Sequence, residues 1–410
     1  MTAIQQQDKE IFELIKKEER RQRDTIDLIA SENYPSKAVR EALSSIYVAK
    51  YSEGRPYKRY YGGMENVDTL ETLVEERARR AFGIGKEWAV NVQPYSGSPA
   101  NYAIERGLLD LKDKILSVEL SHGGHLTHGS PVSLSGIDFT ICNYPMDKET
   151  QQIDYKKVAE IARKEKPKMI ITGYTAYQRT IDFAAFGRIA KDVGAYLMAD
   201  ISHITGLVVG KVHPSPFPYA DVVMTTTHKS LRGPRGAMII CREELREKIF
   251  PKVFPGLQGG PHNHTIAALG IALKEATTPA FSRYAAQIVK NAKALAAGLQ
   301  EHDFAIVTGG TDNHMMLVDL TNKNIRGKQA QELLESAGIV TNRNTVPYDP
   351  NSPFNPSGIR LGTPATTTRG MREKEMKQIA AWIAGAIGNP ESAPRVKKEV
   401  ASFCKNFLIP

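Results

Sequence analysis

At 410 residues the chain exceeds what one hydrophobic core comfortably serves, so two domains are expected. With 41% hydrophobic and 24% charged residues, and no apolar run long enough to span a bilayer, the composition excludes a membrane-spanning or disordered protein. The formal net charge of +9 suits anionic ligands, but the basic residues are spread along the chain and form no aromatic-interleaved block of nucleic-acid-binding type.

The first stretch, MTAIQQQDKEIFELIKKEERRQRD, lacks the apolar centre of a secretory leader and carries acidic residues that a transit peptide avoids. It predicts an exposed helix with Ile11, Phe12, Leu14 and Ile15 on one side, a stripe suited to docking on the body or on a second subunit. Residues 27–34 begin apolar and turn polar, as a loop entering a site does. Tyr51 to Gly63, YSEGRPYKRYYGG, has the composition of a loop yet holds four tyrosines and Glu53; so much aromatic surface in a loop covers or lines something. A helical pattern runs from Val67 to Phe82. In NVQPYSGSPAN (91–101), Ser98 before Pro99 predicts a helix start with Ser98 at the N-cap. The Ser96-Gly97-Ser98 turn leading into it offers hydroxyls and free N–H groups to an anion, or serves only to cap the helix.

Ile115 to Leu120 reads as a strand, ending in SHGGHLTHG with His122, His125 and His128. Metal-binding helices place their ligands at i and i+4, and the Gly pair breaks that geometry, so an imidazole face stacked on an aromatic ring fits better than a metal. From Tyr155 the order is regular: helix 156–164, strand 168–173, helix 183–193, strand 195–200, strand 222–226 and strand 237–240. Near-continuous apolar strands alternating with amphipathic helices imply a mostly parallel sheet covered on both faces, with ligands at the carboxyl ends of its strands. Asp200, His203, Thr226, His228 and Lys229 all fall at or just beyond those ends.

In DVVMTTTHKSLRGPRG (221–236) the apolar run Val222-Val223-Met224 leads into Lys229. A lysine at the end of a buried strand is costly to desolvate, and the same burial lowers its pKa toward the range in which an amine attacks a carbonyl carbon. Alone, such a lysine could simply reach solvent from a strand end; with the groups gathered at the neighbouring strand ends, Lys229 is the expected attachment point of pyridoxal 5′-phosphate as a Schiff base. Asp200, closing a neighbouring strand, would pair with the protonated pyridine nitrogen and keep the ring an electron sink. FPGLQGGPHNH (254–264) could bring backbone N–H groups to a phosphate. A helix follows from about Thr265 to Ala276, and Thr277-Thr278-Pro279 marks a domain boundary. Beyond it come a helix (284–299), strands (304–307, 315–319 and 339–341) with a helix (328–336) among them, a loop-rich stretch and a last helix (372–387), a smaller α+β domain. Arg360, in an extended segment between loops, could clamp a carboxylate bidentately or simply face solvent. Cys142, Cys241 and Cys404 fit reduced thiols in the cytoplasm and neither a disulfide framework nor a zinc site.

The stretches LIASENY (28–34), YSEGRPYKRYYGG (51–63), NVQPYSGSPAN (91–101), HGGHLTHGSPV (122–132), TTTHKSLRGPRG (225–236), FPGLQGGP (254–261), GGTDNHMMLVDL (309–320) and SGIRLGTPA (357–365) together resemble serine hydroxymethyltransferase. They span nearly the whole chain in family order. The resemblance implies an α/β fold of pyridoxal-phosphate fold type I, with a mostly parallel seven-stranded sheet in a large domain (46–277), a small α+β domain (278–410) and an N-terminal helical arm (1–45) packing on a partner subunit. It implies conversion of L-serine and tetrahydrofolate to glycine and 5,10-methylenetetrahydrofolate, no metal, and an obligate homodimer with shared active sites.

By the same resemblance Lys229 binds the cofactor covalently, Asp200 partners the pyridine nitrogen, His203 lies near the ring's phenolic oxygen and His125 stacks on the ring. Ser96, Gly97, Ser98, His228 and Gly260 match phosphate contacts, with Tyr51 and Gly260 from the partner subunit. Ser31 and Arg360 match the substrate-carboxylate site. Glu53 matches the acid–base carboxylate with Tyr61 beside it, and Thr226 and His228 join the catalytic positions. Leu120, Gly124, Leu126 and Asn344 match folate contacts. Two ring contacts depart from the pattern: Ser202 stands where an alanine is common and Thr175 where a serine is common, and altered contacts with intact chemistry are expected. A β-hydroxy-amino-acid aldolase would share the cofactor without needing a pterin. A basic nucleic-acid-binding protein would leave Asp200, His203 and Lys229 unexplained, and a catalytically silent scaffold is the third possibility.

Overall fold

Strand Val222–Thr226 lies inside a seven-stranded sheet, and the computed structural model, which describes residues 2–410, places strands Ala237–Arg242 and Trp88–Asn91 on one side of it. On the other side follow Tyr196–Asp200, Met169–Thr172, Lys114–Val118 and Thr140–Tyr144. Ala237–Arg242 runs antiparallel to both neighbours; the other pairings are parallel. Val223, Leu197 and Ile170 face one apolar core, while Val222, Met224, Met198 and Met169 face another. A strand buried on both faces needs apolar side chains at successive positions, which is why these read as continuous runs.

Helices Glu65–Phe82, Tyr155–Glu165, Phe183–Val193 and Asn263–Ala276 cover the first face. Helix Gly97–Leu108, with Ile249 and Phe250, covers the second. Pro279–Glu301 then leaves this body: Phe281, Ala285 and Ile288 pack in the first core, whereas Ala292, Leu295 and Leu299 pack in a separate one. That separate core lies against a four-stranded antiparallel sheet (Ala305–Ile306, Met315–Asp319, Gly358–Gly362, Asn342–Asn344) and helices Gly327–Ser336, Glu373–Gly388 and Ala393–Cys404.

Several sequence expectations shift. Trp88–Asn91 and Thr140–Tyr144 are strands that the sequence pattern did not reveal. The helix predicted to start after Ser98 begins at Gly97, with Ser96 at the N-cap. Pro99 still fits, because N–H groups of the first turn have no intrahelical partner to lose. The extended segment expected around Arg360 is strand Gly358–Gly362, which lies between two antiparallel neighbours and buries Arg360 rather than facing it to solvent. Ile339–Val340 pairs in parallel with Ile26–Asp27, outside the four-stranded sheet. Helix Lys9–Asp24 carries no buried residue, so the Ile11, Leu14 and Ile15 stripe is uncovered in this chain. Its far end is fastened instead by Arg369, which donates to the carbonyls of Gln22, Arg23, Thr25, Cys404 and Phe407.

Candidate active site

The carboxyl ends of the parallel strands open into a cavity of about 390 Å³, lined among others by Ser31, Ser96, His125, Asp200, Lys229 and Arg360. Gly97, Ser98, Thr175, Ser202, His203, Thr226 and His228 also line it, so the sequence-predicted groups converge on one space.

Lys229 lies three residues past the end of strand Val222–Thr226, and no carboxylate pairs with its ammonium among the described residues. Burial, then the positive charges of Arg360 and Arg235, pull its pKa down to about 8 against the opposing pull of Asp200. An appreciable fraction of neutral amine is therefore present near neutral pH. Asp200 is itself buried, which disfavours its charge, yet hydrogen bonding to His128 and the nearby imidazoles hold its carboxyl well below the usual range. Its Oδ2 meets His128 Nε2 at 2.9 Å and accepts from Asn101 Nδ2 at 3.1 Å. Its Oδ1 accepts from Ser202 N at 3.0 Å and Ser202 Oγ at 2.6 Å, and Ser202 Oγ in turn accepts from Thr226 N. A carboxylate held ionised away from water suits a cationic ring N–H.

His125, His203 and His228 are held in the neutral form. Burial pulls His125 down to about 4 and His228 to about 3, and holds His203 well below its ordinary value. His125 is oriented by Thr127 Oγ1, 2.7 Å from its Nδ1, and Asn101 Nδ2 donates to the same hydroxyl at 2.9 Å. A neutral ring so fixed presents a flat apolar face. His203 Nδ1 lies 3.2 Å from His314 Nε2.

Among the described residues, four buried polar atoms of cavity-lining residues, Asn101 Oδ1, His128 Nδ1, Thr226 Oγ1 and His228 Nδ1, have no hydrogen-bond partner. Ser96 makes no capping bond, so its hydroxyl is free at the start of helix Gly97–Leu108. A side chain at Gly97 would bring its Cβ within 2.8 Å of Thr226 Cγ2, so glycine is what lets the helix start approach the lysine-bearing strand. Hydroxyls, a helix N-terminus and Arg235 on one wall make a cradle for a phosphate. The amine, the ionised carboxylate and this cradle together fit pyridoxal phosphate. Across the cavity, Arg360 donates to Thr175 O at 2.7 Å and Asn342 Oδ1 at 3.3 Å and has no carboxylate partner among the described residues. Burial lowers its pKa to about 10, so it remains cationic and able to bind a substrate carboxylate.

A second cavity of about 890 Å³ adjoins the first and shares His125, His128 and Thr175 with it. Leu120, Gly124, Leu126 and Asn344 all line it. The structure does not bring Tyr51, Glu53, Tyr61 or Gly260 to the Lys229 cavity. They cluster elsewhere in the chain: the Tyr51 and Tyr61 rings lie 5.2 Å apart, Glu53 and Tyr51 sit against Gly259, and Tyr51 also sits against Gly260. That loop is held from behind by buried ion pairs, Arg59 with Asp68 (2.8 Å) and Glu71 (2.7 Å), and Arg55 with Glu71 and Glu75. A Cβ at Gly54 would collide with the Lys58 carbonyl, and its φ of 99° favours glycine, so the tight hairpin requires it.

Sequence reasoning missed Asn101 and His128 as partners of Asp200, and Arg235 as a wall of the cavity. Asn101 stands four residues after Gly97, hence on the same helix face, and that spacing was the available signal.

A family model described as serine hydroxymethyltransferase matches residues 4–383. The chain is 54% identical to the serine hydroxymethyltransferase of Desulfotalea psychrophila, over all of this chain and 96% of that protein. It is 53% identical to that of Acidothermus cellulolyticus and 51% identical to that of Sorangium cellulosum, in each case over all of this chain and 97% of the relative. This chain belongs to the serine hydroxymethyltransferase family.

Proposed function

We propose that this chain interconverts L-serine and glycine, exchanging the one-carbon unit with tetrahydrofolate, with pyridoxal phosphate held on Lys229. The observation that carries this reading is a cavity holding an unpaired amine beside an ionised carboxylate and sharing a wall with a larger cavity. Bound there, pyridoxal phosphate supplies an electrophilic carbon for the amino group of serine and a cationic ring that takes up the electron pair left when Cα–Cβ breaks.

The chain's own residues do the rest. Lys229 holds the cofactor covalently through Nζ. Asp200 keeps the ring nitrogen protonated, fixed by His128, Asn101 and Ser202. His125 would present its ring face to the cofactor, and Thr175, Ser202 and His203, which line the same cavity, would also contact it. Ser96, Gly97, Ser98, Thr226 and His228 hold the phosphate. Arg360 and Ser31 fix the carboxylate of serine, which orients the scissile bond. Leu120, Gly124, Leu126 and Asn344 hold the pterin within reach of the departing carbon.

Glu53 takes up the proton of the serine hydroxyl with Tyr61 beside it, a role that needs a second copy of this chain to bring them in. Tyr51 and Gly260 reach the phosphate from that same copy. Exposed Ile46, Val48, Tyr51, Tyr57 and Tyr60 around Glu53 support such a homodimer. The free thiols of Cys142, Cys241 and Cys404 suit the cytoplasm.

Purified protein supplied with pyridoxal phosphate, serine and tetrahydrofolate should yield glycine and 5,10-methylenetetrahydrofolate in equal amounts. Release of glycine at the same rate with no pterin present would favour the aldolase instead.

A further inference from the structure

Lys229 Nζ has no ion pair to fix it, so its position depends on how the main chain beneath it is held. The Lys229 carbonyl accepts from Arg232 N at 3.0 Å within the local turn, and from Asn33 Nδ2 at 2.9 Å. The same carboxamide nitrogen donates to Tyr284 Oη at 2.8 Å. Its oxygen accepts from Tyr34 N at 2.9 Å and Thr368 Oγ1 at 2.7 Å. Both hydrogens and both lone pairs of Asn33 are thus in use. The reverse orientation would set oxygen against the Lys229 carbonyl and NH2 against the Tyr34 N–H, so the arrangement admits one orientation.

The partners come from separate parts of the fold. Asn33 lies two residues beyond Ser31, which lines the cavity. Tyr284 is on Pro279–Glu301, the helix that runs from one core to the other, and the Arg232 guanidinium lies 4.7 Å from its ring centre. Thr368 ends the short helix Pro364–Thr368, which follows the strand carrying Arg360. One side chain therefore ties the peptide of the amine to the segment bearing Ser31 and to the segment after Arg360.

We infer that Asn33 is a positioning residue, which sets the distance between the Lys229 amine and the Ser31–Arg360 carboxylate site by gripping the Lys229 carbonyl. This rests on the reading of Lys229 as the reacting amine. Asn33 does not line the cavity and acts only through the lysine main chain. Displacing a reacting group by about 1 Å can lower a rate by about a hundredfold, so an effect well above tenfold is within reach of one lost hydrogen bond.

The test uses Asn33→Asp, which keeps the shape and the oxygen facing Tyr34 and Thr368 but removes the donor to Lys229, together with Asn33→Ala. Thr368→Val, which leaves that donor in place, is the control, and circular dichroism and melting temperature monitor folding. In full-length protein stripped of cofactor, trinitrobenzenesulfonate labelling of the Lys229 peptide is followed against pH by mass spectrometry. The wild-type midpoint should lie at about 8.

Both Asn33 variants should move that midpoint upward as the amine gains freedom to reach water. In the loaded enzyme they should lower kcat for serine cleavage by about tenfold or more with a smaller change in KM. Thr368→Val should do neither. A wild-type midpoint and kcat in the Asn33 variants overturns the inference. So does an equal loss in Thr368→Val that follows the fall in melting temperature, since Asn33 would then matter only for packing. If Lys229 is not the reacting amine, borohydride mapping of the loaded enzyme fails while the labelling midpoint still reports on Asn33, which separates the two failures.

Discussion

The Lys229 cavity and the tyrosine-rich loop at 51–63 solve opposite problems with charged groups. In the cavity, charges lie at the ends of buried strands, and Asp200 is satisfied by groups within the same chain. In the loop, the charged side chains that point inward, Arg55 and Arg59, are consumed by Glu71, Glu75 and Asp68, while Tyr51, Tyr57, Tyr60 and Tyr61 point out into solvent. The first region is a finished receptor without its proposed acid–base carboxylate. The second is a rigidly backed surface that presents such a carboxylate with nothing in this chain to receive it. On the proposed reading a reaction that needs both takes two chains, and buried ion pairs stiffen the part that faces outward.

Mixing variants separates the contributions of the two regions. Glu53→Gln should lower kcat by about 10²–10⁴-fold with Lys229 chemistry intact. Co-refolded with Lys229→Ala chains, it should regain about a quarter of wild-type activity, because half the dimers are mixed and each mixed dimer owns one complete site. No recovery would place Glu53 in its own chain's site. Next in size is the stiffening. Arg59 has a side chain only 2% exposed, and Arg59→Met strands Asp68 as a buried carboxylate and leaves the buried Glu71 with Arg55 and Gln93 alone. A loss of about 3–5 kcal/mol in denaturant unfolding is expected; a loss under about 1 kcal/mol would mean the loop is not held this way. Smallest is the receptor's own specificity. Arg360→Lys should raise KM for serine by about tenfold while kcat changes less, since a lysine cannot reproduce a bidentate fork. An unchanged KM would remove Arg360 from the carboxylate site.

The sheet was legible where strands are covered on both faces, since Met169–Thr172 and Val222–Thr226 are buried at every position and their apolar runs carry no polar interruption. Thr140–Tyr144 was not, because it is an edge strand with only Tyr144 buried, so its polar and apolar residues alternate weakly. Trp88–Asn91 was hidden by the loop sequence into which it runs. Ile26–Asp27 has two residues and pairs with Ile339–Val340, a partner no local pattern announces. In the site, Lys229, Asp200 and His203 stood out because strand ends are where an α/β sheet exposes its chemistry. Asn33 and Asn101 did not, since a lone asparagine carries no periodic signal and their partners lie 196 and 99 residues away. Glu53 came from the family resemblance, and nothing in the physics of a single chain would have joined it to Lys229.

The most direct measurement is made on Lys229 itself. Protein prepared with ample pyridoxal phosphate, treated with borohydride, digested and weighed should carry the reduced pyridoxyl group on the peptide containing Lys229 and on no other. An unmodified Lys229 peptide, with the group on another lysine or on none, would contradict the account.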